Sequence, residues 1–257
     1  MKKIIFIHIP KNCGNSIKRL LTKEKNIILY DKFNNIFQTG KKLSDYEKDE
    51  DLDIYYKFAI IRNPWDRLVS YYFHIKRYLE IKINFRRELE VKYGLDISQI
   101  SNRKIIENLK YLDTLEYSEE FINYLTKKNI IQKRIDEIKL NKLVDINKLN
   151  MYKKHNFKSF WNYVIKNKDI HHYNFLKTSQ YDYIKSNNEK NMINNIIRFE
   201  NLNQEFEIVK KKLNLENNLE KFNYTKHKKY QEYYDDEIKE KLFPFLKQDL
   251  DKFNYTF

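Results

Sequence analysis

The apolar positions of this chain fall in short blocks, and the period within the blocks changes along the sequence. Ile4 to His8 is a β-branched and aromatic run closed by Pro10, the pattern of a strand buried in a parallel sheet. From Ser16 to Leu21 the spacing turns helical, with Ile17, Leu20 and Leu21 on one face. Ile27 to Tyr30 is a second short strand, and residues 38–53 are polar and charged, as a loop would be. Tyr55 to Ile61 is apolar apart from Lys57 and predicts a third strand. Asn63-Pro64 then starts a helix, Asn as cap and Pro at the first helical position. The body of that helix runs through Leu68, Val69 and Tyr72 towards Leu79.

Further along, residues 80–150 are charged and mostly helical in pattern, which predicts an inserted helical piece; Ser118 to Lys127 within it looks like a capped helix. Phe157 to Ile165 is amphipathic and helical, and residues 192–199 end in a strand, Ile196-Ile197-Arg198-Phe199. Asn203 to Leu213 and Asp236 to Phe253 predict helices, the second interrupted at Pro244. Strands that alternate with helices predict an α/β fold, a central and mostly parallel sheet covered by helices on both faces. The expected organisation is one domain over residues 1–257 with the helical insertion at about 80–150.

Composition narrows this. Gly and Pro are scarce, with 3 of each, which argues against a many-turned β sandwich. Lys and Arg number 50 against 36 Asp and Glu, a formal net charge of +14, so polyanions and anionic small molecules will be attracted. The single cysteine, Cys13, excludes an intramolecular disulfide and fits a reducing compartment. The apolar run at the start is broken by His8, is followed at once by Lys11 and lacks a small-residue cleavage site, so it reads as a strand and not as an export signal. No stretch approaches the roughly 20 apolar residues of a membrane helix. A soluble, cytoplasmic protein is the expectation.

The candidate chemistry sits at two strand–turn–helix corners. In the first, Pro10-Lys11-Asn12-Cys13-Gly14-Asn15-Ser16 leaves a strand and opens a helix, so free backbone N–H groups gather at the positive end of the helix dipole. Gly14 would let the backbone approach an anion, Lys11 adds a mobile charge, and Asn15 and Ser16 add neutral donors. The GxxxxGK[ST] pattern of ATPases is absent, and with it the usual reason to expect magnesium. In the second corner, Arg62 ends a strand and Ser70 lies under two turns into the following helix, spaced to share one anion. Asp66 reads as a helix-start carboxylate.

These segments resemble those of the carbohydrate sulfotransferases. IFIHIPKNCGNSI is similar to their 5′-phosphosulfate-binding segment and IIRNPWDRLVSYY to their 3′-phosphate-binding segment. The nearest group is the branch called family 2, which includes heparan, dermatan and chondroitin sulfotransferases and many bacterial enzymes. The likeness continues weakly through His171-His172, Gln180-Tyr181, Phe199-Glu200-Asn201-Leu202 and the C-terminal residues 226–257. Two departures stand out: Asn12-Cys13-Gly14-Asn15 replaces a common Thr-Ala-Gly-Thr, and Ser179 replaces a Pro before Gln180.

The resemblance implies a P-loop-like three-layer fold and transfer of a sulfuryl group from 3′-phosphoadenosine 5′-phosphosulfate to a carbohydrate hydroxyl, without a metal. It implies that Lys11, Asn12, Cys13, Gly14, Asn15, Ser16, Arg62, Ser70 and Tyr230 bind the donor. Lys11 would also act in catalysis, with His172 the first candidate for the base, His74 the second, and a carboxylate such as Glu24 a further possibility. The competing readings are a basic nucleic-acid-binding protein, which would leave the two anion corners unexplained, and a nucleotide- or glycan-binding relative without catalysis.

Overall fold

A computed structural model describes residues 2–29, 41–46, 52–77, 154–168, 170–186, 193–220 and 227–257. The predicted helix over 118–127 lies outside them. The chain divides into two compact units, Met1–His74 with Asn156–Phe257, and Ile75–His155. All that follows concerns the first unit.

Its strands are β1 (Lys2–Ile7), β2 (Ile27–Leu29), β3 (Tyr56–Ile61) and β4 (Asn195–Arg198). They form one parallel sheet in the order β2-β1-β3-β4. Alternate residues of the central strands feed two apolar layers. Ile4, Phe58 and Ile60 face one layer with Ile17, Leu20 and Leu21 of α1 (Gly14–Leu21) and Phe206, Val209 and Leu213 of α6 (Leu202–Leu213). Ile5, Ile7, Ala59 and Ile61 face the other with Tyr183 and Ile184 of α5 (Gln180–Ile184) and Phe253 of α7 (Asp236–Phe253). The sheet is therefore buried on both faces, as its uninterrupted apolar strands require, and each fully buried aliphatic or aromatic side chain contributes roughly 1.5–3 kcal/mol.

A further, mostly aromatic cluster lies beside the sheet. Helix α2, described over residues 64–77, sets Tyr71 and Tyr72 against Phe157, Phe160 and Trp161 of α3 (Phe157–Asn167). Between α3 and α5 runs α4 (Ile170–Lys177).

One predicted feature is corrected. Helix α7 continues through Pro244 instead of breaking there. A mid-helix proline costs about 3 kcal/mol by removing one N–H and crowding a carbonyl. Pro244 is exposed, so the freed carbonyl can meet water, while Ile238, Leu242, Leu246, Asp249 and Phe253 hold the opposite face in the core. Packing on both sides of the proline outweighs the local penalty.

The strand order decides where the site lies. From β1 the chain goes outward to β2, then returns to the other side of β1 to form β3. At such a reversal the loops after the two central strands diverge and leave a crevice beyond their carboxyl ends. Ile7 is level with Ala59, and just beyond them Arg62 Nη1 donates to Lys11 O at 3.2 Å, so the two corners meet at the mouth of that crevice.

Candidate functional site

The loop after β1 is strained and tied down from several sides. Lys11 and Cys13 have φ of 74° and 62°, the left-handed region that costs a side-chain-bearing residue roughly 1–2 kcal/mol. Cys13 is the N-cap of α1 and makes no side-chain capping bond. Its carbonyl accepts from Ser16 N at 3.0 Å and Ile17 N at 3.3 Å, so the N–H groups of Gly14 and Asn15 come before the first intrahelical bonds, at the positive end of the helix. Asn12, Gly14 and Ser16 are buried, Lys11 and Cys13 half-buried and Asn15 exposed. Burial pushes the Cys13 thiol up, against a hydrogen bond from Ser16 and the charge of Arg62, which makes it a packed thiol and not a thiolate.

A buried amide network fastens this loop to the second corner. Asn12 Nδ2 donates to Ile60 O at 2.8 Å and to Gln180 Oε1 at 2.6 Å. The same Gln180 oxygen accepts from Arg62 N at 2.9 Å, and Gln180 Nε2 donates to Arg62 O at 2.7 Å. Because a backbone N–H only donates and a carbonyl only accepts, these partners also fix which way both amides point. Gln180 opens α5, whose N-terminus is capped by Ser179 in a reciprocal box with Asp182. Ser179, the departure from the family's Pro, thus has a structural task. Asp249, from α7, accepts from Gln180 N at 2.8 Å and Tyr181 N at 3.0 Å. Burial raises the Asp249 carboxyl against the opposing pull of Arg67 and these two bonds.

Arg62 reaches back across the crevice. Its Nη1 donates to Lys11 O at 3.2 Å, its Nε and Nη2 each lie 2.7 Å from Asp66 Oδ2, and its guanidinium lies 4.2 Å above the ring of Phe199. Asp66, read as a helix-start carboxylate, thus also orients Arg62. Asn63 caps α2 by accepting from Trp65 N at 3.0 Å, and its Nδ2 donates to Tyr230 Oη at 3.2 Å and Thr256 O at 2.9 Å. Tyr230 is therefore brought to the second corner. Ser70 is buried on α2.

Arg67, which follows Asp66 in the first turn of α2, is a main support. It is buried, donates from Nε to Pro10 O at 3.2 Å and from Nη1 to Thr178 O at 3.3 Å, and lies 4.3 Å above the Phe175 ring. Phe175 stacks on Tyr71 with ring centroids 3.7 Å apart, and Tyr71 Oη lies 2.8 Å from His172 Nδ1. His172 is only 8% exposed and is linked to the first loop through this chain of contacts. His74 is exposed on α2, one turn beyond Ser70. Glu24 lies beyond the far end of α1 from the loop, where its carboxylate accepts from Glu216 N, Asn217 N and Asn217 Nδ2; it is not among the groups gathered at the crevice. Glu200, which accepts from Asn63 N at 2.7 Å, and Asp249 lie in the later segments of the resemblance, but their roles as hydrogen-bond acceptors, like that of Arg67 as a donor, are set by the fold.

A parallel sheet with two strand–turn–helix corners at its reversal point defines an α/β protein. The chain matches the model of the sulfotransferase family over residues 1–256, and it belongs to that family. No curated protein and no solved structure matches the chain. No described helix is long and apolar enough to cross a membrane.

Proposed function

We propose that this sulfotransferase moves a sulfuryl group from 3′-phosphoadenosine 5′-phosphosulfate to a hydroxyl of a carbohydrate acceptor. The observation that carries the reading is the clasp of Asn12, Gln180 and Arg62, which holds two anion-binding corners in one register across the crevice. A nucleotide with phosphate at both the 3′ and 5′ positions of one ribose needs such a pair of sites. Lys11 and the N–H groups at the start of α1 face the 5′ end, where negative charge grows on the leaving phosphate as the bond to sulfur breaks. Arg62 and Ser70 hold the 3′-phosphate, and Tyr230 completes that end.

The acceptor hydroxyl gives up its proton as its oxygen bonds to sulfur, and His172 is the proposed base. For its Nε2 to accept that proton, Nδ1 must carry the ring hydrogen and donate it to Tyr71 Oη, an arrangement the 2.8 Å contact permits because the phenol oxygen can accept. His74 is the alternative base. Residues 80–150 serve as a helical insertion within one sulfotransferase domain.

The test is calorimetric titration of adenosine 3′,5′-bisphosphate into wild type, Lys11→Ala and Arg62→Ala, followed by labelled-sulfate transfer to a panel of glycans by wild type and His172→Gln. Each alanine variant is expected to lose about 1.5–3 kcal/mol of binding, the worth of a hydrogen bond to a charged group. His172→Gln should bind the nucleotide normally and transfer poorly. Absence of nucleotide binding by the wild type would sink the reading.

A further inference from the structure

The one glycine of the first loop does not serve the purpose a glycine there suggests. The loop's left-handed positions are occupied by Lys11 and Cys13, and Gly14 is not among them. What forbids a side chain at position 14 is internal. A Cβ built on Gly14 would stand 1.9 Å from both Cδ2 and Nε2 of His8, overlapping that edge of the imidazole ring. The ring of His8 fills the place of the missing side chain and lies against the first residue of α1.

We propose that His8 is a positioning residue of the donor loop: its ring, seated on Gly14, clamps the N-terminus of α1 and keeps the strained turn at Lys11 and Cys13 in its anion-binding shape. This rests on the donor reading above. A loop with two strained residues persists only where its surroundings over-determine it. Asn12 is held through its side chain, and the carbonyls of Pro10 and Lys11 are held by Arg67 and Arg62. Those bonds fix the first half of the turn. On its second half, where α1 begins and the Cys13 carbonyl accepts from Ser16 N and Ile17 N, the His8 ring adds a packing contact from outside the loop.

His8 is suited to this. It stands just beyond β1, on the rigid floor of the crevice, is 8% exposed and stacks on Phe6 with centroids 5.9 Å apart. Its Nδ1 has no hydrogen-bond partner among the described residues, and the ring edge that carries Nε2 is the one set against Gly14. Burial first, then the charges of Lys18 on α1 and Lys11 in the loop, push its imidazole down to about 3, so the ring stays neutral and places no charge beneath the loop.

The experiment is a double-substitution cycle read by bisphosphate affinity and by the urea midpoint. His8→Ala empties the seat and is expected to weaken binding about tenfold. Gly14→Ala drives its methyl into the ring and should weaken binding about 100-fold. The double variant lets the new methyl occupy the space vacated by the ring, so it should bind more tightly than Gly14→Ala alone. His8→Phe, which keeps a planar ring, should recover most of the affinity lost in His8→Ala. A double variant no tighter than Gly14→Ala, or a Gly14→Ala protein that binds like wild type, overturns the proposal. So does a set of variants whose urea midpoints shift while bisphosphate affinity does not, since the contact would then support the fold alone. If the wild type itself fails to bind the bisphosphate, the donor reading falls, and the urea cycle decides the clamp: additive midpoints end it, and coupled midpoints sustain it as a contact that shapes the loop.

Discussion

Replacing Gln180 with leucine tests the joint between the two corners. Its side chain is fully buried. Leucine is close in volume, so the change removes polar atoms while leaving little cavity. Arg62 N and Arg62 O, at the end of β3, would each lose the Gln180 partner and stay buried. An unsatisfied buried backbone group costs about 1–3 kcal/mol. Asn12 Nδ2 would lose one acceptor but keep Ile60 O, a smaller loss of about 1 kcal/mol. The sum is roughly 3–7 kcal/mol against a typical domain stability of about 5–15 kcal/mol. The measurement is urea unfolding followed by circular dichroism, with bisphosphate titration of the folded fraction. Gln180→Glu is the companion, because it retains the acceptor for Asn12 and Arg62 N but sets an oxygen against Arg62 O. It should also be destabilised, and more so at neutral than at acid pH. A Gln180→Leu protein within about 1 kcal/mol of wild type, with unchanged nucleotide affinity, would show that the clasp does not hold the corners together.

Two further outcomes follow from the same geometry. Cys13→Gly removes the side chain from a left-handed position and should raise stability by up to about 1 kcal/mol in thermal unfolding, after allowance for the freer unfolded chain; a clear loss would mean that the thiol's packing outweighs its backbone strain. His8 and Glu24 should each lower stability on acidification, while the raised Asp249 carboxyl works in the opposite direction. His8 has an ordinary value of 6.5 and a folded value of about 3, so between those limits the unfolded chain binds the extra proton, and roughly 2 kcal/mol is lost from about pH 7 to about pH 5. Glu24 is held below its ordinary range: burial alone would raise it, but the bonds from Glu216 N, Asn217 N and Asn217 Nδ2 together outweigh burial, so its contribution is lost as the pH falls below about 4.5. A urea midpoint that is level from pH 7 to pH 5 would contradict the His8 part, and His8→Phe should flatten that window.

The α/β class and the location of the two strand–turn–helix corners were legible in the sequence because both are local. A run such as Ile4 to His8 cannot be exposed on either face without cost, and a helix that opens directly after it presents free N–H groups whatever the rest of the chain does. The boundaries of β3, α3, α6 and α7 lie within a few residues of the predicted ones for the same reason. Pro244 was misjudged because a local penalty was weighed without the core face that spans it.

What only the tertiary structure decided are the relations between distant residues. Nothing in the spacing of Asn12, Arg62, Gln180 and Asp249 says that they form one buried network, since hydrogen-bond partners are chosen by the sheet's register and by the helices that cross its end. Arg67 reads as an ordinary surface cation until α2 turns it towards Pro10 O and Thr178 O. Gly14 shows the difference most clearly. The sequence by itself determined that a small residue begins a helix at a strand–turn–helix corner. The fold decided why it must be small, because β1 and α1 bring the ring of His8 into the volume that a side chain would need.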